Sequence, residues 1–227
     1  MAKFFVAGTD TDVGKTFVSC SILEAANGRG LRTIGLKPVA AGGELLNGQL
    51  CNDDALALRE TMSVELPYAQ VNPICLTAAC SPHIAAAIEH KKITASRIVG
   101  FCRGAMMTPN DLCLIEGAGG WRVPISPRET MADVARSLNL PVILVVSMRL
   151  GCINHAMLSA ESIRRDGLSI AGWVANTVQS TPMMYYEENL LTLKSALDAP
   201  FVGELPYTSK GGPRAVCNEI SLEVLEL

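Results

Sequence analysis

The stretch Phe4-Phe5-Val6-Ala7-Gly8-Thr9-Asp10-Thr11-Asp12-Val13-Gly14-Lys15-Thr16 constrains this chain more than any other. A short apolar run leads into a polar, glycine-bounded loop. Gly-Lys-Thr then opens a helical pattern in which Phe17, Cys20, Ile22, Leu23 and Ala26 form a broad apolar face, and Asn27-Gly28 stops it. Strand, loop and helix in that order make an anion cradle: backbone N–H groups of the loop wrap a phosphate, and the helix N-terminus adds its partial positive charge. Lys15 is placed to reach the outer phosphates, and the Thr16 hydroxyl to ligate Mg²⁺. One feature departs from the general pattern, because five residues rather than four separate Gly8 from Gly14. The expectation is a nucleoside triphosphate site.

The chain has 227 residues, enough for one core and small for two, so a single domain over 1–227 is expected. A net charge of −3 provides no basic surface for nucleic acid. Mean hydropathy is +0.28, yet the longest strong apolar run, residues 138–146, is broken by Asn139 and Pro141 and is far too short to span a bilayer. Lys3, Asp10, Asp12 and Lys15 interrupt any leader pattern, so a cytoplasmic protein without membrane contact is expected. The eight cysteines show no CxxC spacing and no paired Cys/His ligand spacing. Cys20, Cys102 and Cys113 lie in apolar patterns and read as small core residues. His83, His90 and His155 are scattered and read as structural or surface residues.

Apolar runs at 3–7, 33–37, 112–115, 142–146, 170–175 and 201–203 read as strands, with helical patterns at about 15–27, 53–61, 83–90, 94–107, 130–138, 153–166 and 184–198 between them. Several strands are continuously apolar, as when both faces are covered. The expected fold is therefore α/β: a mostly parallel central sheet with helices on both faces, of the P-loop NTPase kind. Residues 67–82, with Pro67, Pro73 and Pro82, read as irregular and as a possible site lining, and the tail after Tyr207 has no clear pattern.

In such sheets ligands sit outside the carboxyl ends of the strands. That edge gathers the phosphate loop, Lys37-Pro38-Val39-Ala40, Glu116-Gly117-Ala118-Gly119-Gly120-Trp121, the segment Arg149 to Asn154, Asn176-Thr177 and Glu204 to Tyr207. Glu116, ending an apolar strand beside the loop, is placed to hold Mg²⁺ or to be a solvated strand-end charge. The glycines after it let backbone approach a ligand. Asn52-Asp53-Asp54 opens a helix; one acid reads as a cap and the other can complete the metal site. Lys37 can meet negative charge developing in a transferred group, or be a surface lysine before a proline turn. The Asn176 amide suits a base edge or a turn. Gly151 to Asn154 starts a helix whose free N–H groups can bind a carboxylate, or is an ordinary helix start.

The motifs GTDTDVGKT (8–16), KPVA (37–40), NDDALAL (52–58), EGAGGW (116–121), PVILVV (141–146), GCINHAM (151–157) and GWVAN (172–176) resemble dethiobiotin synthetase in order and spacing, from Lys3 to about Tyr207. The resemblance implies an ATP-dependent ligase that closes a cyclic urea on 7,8-diaminononanoate with CO₂ or bicarbonate, through a carbamate and a phosphorylated carbamate. It implies ATP and Mg²⁺ as cofactors and a homodimer. It implies catalytic roles for Lys37, Lys15 and Thr11, and a metal held by Thr16, Asp54 and Glu116. Nucleotide contacts are implied for Asp12, Val13, Gly14, Lys15, Thr16 and Phe17, and for Gly117, Ala118 and Gly119. Asn176, Thr177, Pro206, Tyr207 and Thr208 are implied at the adenine. Lys37 and Ala41 are implied at the substrate, with Gly151, Cys152, Ile153 and Asn154 of a second subunit on its carboxylate. Two residues depart from the family's habit: Ala41 stands where Ser is frequent, and Asp12 where Glu is frequent. A MinD/ParA-like ATPase switch is the competing expectation, disfavoured because such loops carry an early lysine where this chain has Asp10.

Overall fold

The computed structural model describes residues 1–227. In chain order the elements are β1 (Ala2–Gly8), α1 (Lys15–Gly28), β2 (Thr33–Leu36), β3 (Val39–Ala40), β4 (Glu44–Leu46), β5 (Gln49–Cys51), α2 (Asp53–Thr61), α3 (Tyr68–Val71), β6 (Ile74–Cys75), α4 (Pro82–Ile88), α5 (Ala95–Ala105), β7 (Leu112–Gly120), α6 (Met131–Leu138), β8 (Val142–Ser147), α7 (Cys152–Arg165), β9 (Ile170–Asn176), α8 (Tyr186–Ala196) and β10 (Phe201–Leu205). Six strands form one sheet in the order β10-β9-β8-β1-β7-β2, every pair parallel. These are the six strands expected from the apolar runs, and the seven expected helices form with ends shifted by at most a few residues.

The centre of the sheet is apolar on both faces because helices cover both. Val142–Ser147, inside the sheet, is buried throughout, and so is Thr33–Leu36 at the sheet's edge. Helix α5 buries Ala95, Ile98, Val99, Cys102 and Ala105, the spacing of one helical face. A continuous cluster of 65 buried residues forms the core, with Cys20, Cys102 and Cys113 among them. Trp173 fills the β9 side and packs its ring 4.7 Å from Phe201. All eight cysteines are free. No helix is long and apolar enough to cross a membrane.

Because the strands are parallel, their carboxyl ends share one edge. β1 is central; its chain crosses to β2 on one side, while β8, β9 and β10 extend the other. The crevice where connections diverge is where ligands of open α/β sheets bind. The register puts Val6 beside Glu116 and Gly8 beside Gly120, so the loop after β1 lies against the acidic end of β7.

Several small features had no counterpart in the expected elements. β4 and β5 form a hairpin around Asn47 (φ 50°) and Gly48 (φ 82°). Asn-Gly is the pair a two-residue hairpin turn favours, so the signal was present in the sequence. β3 pairs with β6, and α3 is a single turn inside the segment read as irregular. The tail runs through three 3₁₀ turns, Pro213–Ala215, Cys217–Glu219 and Glu223–Leu225, and bridges Gly203 to Ile220 antiparallel. The Ser221 N–H donates to the Val202 carbonyl at 2.8 Å. The tail thereby covers the outer edge of β10, which would otherwise expose unpaired backbone groups.

Candidate active site

The loop after β1 takes its shape from two left-handed residues, Asp12 (φ 55°) and Gly14 (φ 82°), on either side of buried Val13. Gly14 is needed for space as well as conformation: a Cβ there would lie 2.1 Å from Nδ2 of Asn176. That amide nitrogen donates to the Val13 carbonyl at 2.8 Å, so the end of β9 braces the loop. Asn176 therefore has a structural partner that its sequence position did not reveal, and its side-chain carbonyl stays available as an acceptor. Thr177 is buried, and its N–H donates to Leu205 at 2.9 Å, which brings the ends of β9 and β10 together beside exposed Pro206 and Tyr207 and half-buried Thr208.

Lys15 is buried at the first position of α1, and its Nζ donates to the Asp10 carbonyl at 3.2 Å. Burial, then the neighbouring Lys37 ammonium, pulls its pKa from 10.5 down to about 8. Thr16 follows, its hydroxyl donating to Glu116 Oε1 at 2.8 Å. Phe17 is half-buried on the same turn.

Lys37, the residue after β2, is buried, and its Nζ makes three contacts: Glu116 Oε1 at 2.6 Å, Asp54 Oδ2 at 2.9 Å and the Gly117 carbonyl at 3.3 Å. Burial alone would lower its pKa, but Glu116 and Asp54 outweigh it and hold the ammonium above the ordinary lysine value. Burial would likewise raise Asp54, and the Lys37 charge outweighs it and keeps that carboxyl below the usual range. The helix cap is neither acid. Asn52 caps α2, its Oδ1 accepting from the Ala55 N–H at 3.4 Å, while Asp53 is exposed and Asp54 turns to Lys37.

A cavity of about 530 Å³ opens beside these groups, lined by Lys37, Asp54, Thr11, Asp12, Ala118 and Gly119, and closed by Ala79 to Pro82. The segment 67–82 thus contributes its last residues to this wall. Ala41 also lines the cavity and has no side-chain donor; its carbonyl accepts from Asn52 Nδ2 at 3.4 Å. Gly117 packs where a Cβ would come within 3.1 Å of the Phe5 ring, and Gly119 is left-handed at φ 62°.

The donors near Thr16 suit a small hard cation. Thr16 Oγ1, Glu116 and Asp54 supply only oxygens, and Oε2 of Glu116 is buried with no partner. Such an orphaned carboxylate oxygen is costly unless something positive meets it. No three acids, histidines or cysteines converge on one point.

Gly151 to Asn154 lie elsewhere. Gly151 (φ 95°) precedes α7, Cys152 is buried and Asn154 is exposed, and none of the four lines the Lys37 cavity. The N–H groups of Ile153 and Asn154 reach no backbone carbonyl. Two features escaped sequence reading altogether: an ion pair of Arg149 with Asp10 at 2.7 Å, and the Trp121 Nε1–H donating to Asp166 at 2.8 Å. Neither has a local pattern that would announce it.

A buried lysine and a half-buried hydroxyl residue at the start of α1, facing an acid at the end of a neighbouring parallel strand, define a P-loop nucleotide-binding α/β protein. The fold agrees: a ParA family ATPase from Chlorobium tepidum superposes with a TM-score of 0.62, covering 100% of this chain and 99% of that one at 10% identity, a likeness of fold alone. A family model described as an AAA domain matches residues 2–214. Among relatives, the ATP-dependent dethiobiotin synthetase BioD of Marinobacter nauticus is 55% identical over 209 residues, 91% of this chain and 89% of that protein. The protein of the same name from Cellvibrio japonicus is 50% identical over 222 residues, 98% of this chain and 96% of its own length. The chain belongs to the dethiobiotin synthetase family.

Proposed function

We propose that this chain is an ATP-dependent dethiobiotin synthetase, a carbon–nitrogen ligase that closes the ureido ring of dethiobiotin from 7,8-diaminononanoate, CO₂ and ATP. The relatives' names and their 50% and 55% identity over nearly the whole chain support the activity, and the buried Lys37 beside the phosphate loop is the observation that carries the chemistry. One substrate amine adds to CO₂ and loses a proton, giving a carbamate. A carbamate oxygen takes the γ-phosphoryl group from ATP, and ADP leaves. The second amine then attacks the carbamoyl carbon, and phosphate leaves with the bonding pair as the ring closes.

Two anions must meet in the phosphoryl step, so the protein's task is to supply positive charge that is already in place. The loop N–H groups and Lys15 hold the triphosphate. Lys37, kept charged by its two acidic neighbours, faces the carbamate and the transferred group. Thr11, at the cavity mouth, adds a hydroxyl donor. Mg²⁺ accompanying ATP would be held by Thr16, Glu116 and Asp54, and supplies charge neutralisation on the phosphates. Asn176, Thr177 and residues 206–208 hold the adenine. Ala41 leaves the substrate to backbone groups on that side.

A homodimer completes the reading. α7 begins with a helix N-terminus suited to a carboxylate, and an apolar stripe of exposed Leu150 and Leu158 with half-buried Ile153 and Met157 flanks it. The cytoplasm, a reducing compartment, suits eight free thiols. Phosphate release from ATP, measured with and without the diamine and with and without bicarbonate, tests the activity. Release is expected only when both are present, with dethiobiotin formed in equal amount. Hydrolysis indifferent to the diamine would favour a switch ATPase instead.

A further inference from the structure

The loop between Gly8 and Gly14 carries two acids, Asp10 and Asp12. Carboxylates weaken a loop that must hold phosphate, unless each is offset. Asp12 makes no ion pair, whereas Asp10 is fully engaged. Its Oδ2 lies 2.7 Å from Nη2 of Arg149, and its Oδ1 accepts the Thr11 N–H at 2.8 Å. Its carbonyl also accepts Lys15 Nζ at 3.2 Å. Arg149 belongs to the turn after β8, the strand beside β1. Its own N–H donates to Ser147 at 3.0 Å, and its carbonyl accepts the Cys152 N–H at 2.9 Å, which builds the entry to α7. One residue therefore joins the phosphate loop through its guanidinium and the start of α7 through its backbone.

We propose that Arg149 is a positioning residue for the nucleotide: its ion pair with Asp10 cancels one loop carboxylate and fixes Thr9 to Thr11 so that Lys15 and the loop N–H groups meet the triphosphate. The proposal rests on the reading of this loop as the ATP site. Both side chains of the pair are about half exposed, so the pair contributes little to folding, and its effect is on the local charge. Arginine suits the role because its planar fork stays charged at any working pH and holds one direction.

The test compares wild type with Arg149→Ala, Arg149→Lys, Asp10→Asn and the Arg149→Ala/Asp10→Asn double variant. The readouts are the dissociation constant of a non-hydrolysable ATP analogue, KM for ATP, kcat and thermal stability. Arg149→Ala is expected to weaken analogue binding and raise KM for ATP on the order of tenfold, with kcat and melting temperature little changed. The deficit should shrink in high salt, which screens the half-exposed Asp10 charge. Arg149→Lys should recover most of the affinity. Asp10→Asn should rescue the Arg149→Ala variant, because the uncompensated carboxylate is gone. Unchanged ATP affinity in Arg149→Ala, a fall in kcat alone, or a double variant no better than Arg149→Ala would each overturn the proposal. Failure of the wild type itself to bind the analogue would instead sink the ATP reading of the loop.

Discussion

Lys15 and Lys37 are both buried at the same sheet edge, and their surroundings drive them in opposite directions. Lys15 falls to about 8 because burial and Lys37 disfavour its charge, while Lys37 is raised by Glu116 and Asp54. The free protein thus holds one firmly charged lysine and one that titrates near working pH. Phosphates arriving at Lys15 favour its ammonium and raise its pKa. Binding of ATP should therefore take up a proton above about pH 8, and affinity should fall as pH rises further. For folding alone the sign reverses: between about 8 and 10.5 the unfolded chain binds the extra proton, so this group's share of stability grows with pH. Calorimetry near pH 9 in two buffers of different ionisation enthalpy would show the uptake; proton release on binding would contradict it. Lys37 should behave differently. Lys37→Ala is expected to leave ATP binding largely intact but lower turnover on the order of 10²–10³. It should also destabilise the fold by about 3–5 kcal/mol, because Glu116 is left buried without its cation. Near-normal turnover in single-turnover assays would reject the phosphoryl-transfer role.

At the scale of elements, close backbone approaches decide what can be changed. Gly203 lies where the tail crosses β10, and a Cβ there would sit 2.1 Å from the Glu219 carbonyl oxygen. Gly203→Ala should peel the tail from that edge while leaving the six strands intact. Hydrogen exchange at Ser221 N–H, which donates to Val202, should rise sharply relative to β1 and β8. Equal protection in the variant would mean that the tail adapts around the methyl group. This edge also shows what the sequence could and could not reveal. The six strands were legible because a strand buried on both faces is a continuous apolar run, and the helices because their apolar spacing differs from it. That alternation already implied a shared carboxyl edge, so Thr16, Lys37 and Glu116 could be gathered without coordinates. The tail was not legible, because 3₁₀ turns have neither period and its pairing partner is distant. The two-residue strands β3 and β6 are too short to carry a pattern. Asp10 and Arg149 are 139 positions apart, and only the adjacency of β1 and β8 brings them together.

At the scale of the whole molecule, the question is whether one chain contains a complete site. The Lys37 cavity is lined by one cation, Lys37 itself, and by no residue of α7. A helix N-terminus can hold a carboxylate without a basic side chain, and α7 presents one whose Ile153 and Asn154 N–H groups reach no backbone carbonyl, beside the partly exposed apolar stripe. In a two-fold dimer each subunit would lend that terminus to the other's cavity, and the two sites would be equivalent by symmetry. Asn154→Asp places a negative charge where the substrate carboxylate would bind, so it should raise the diamine KM first, with turnover falling if the diamine tilts out of line. Mixed with Lys37→Ala and assayed at diamine concentrations well below the raised KM, where each variant alone turns over little, the pair allows a direct check. A heterodimer of the two has one site carrying both defects and one carrying neither. With random reassortment half the dimers are mixed, so recovered activity should approach about a quarter of the wild-type value. No recovery after subunit exchange has been verified by mass spectrometry would mean that each chain builds its site alone.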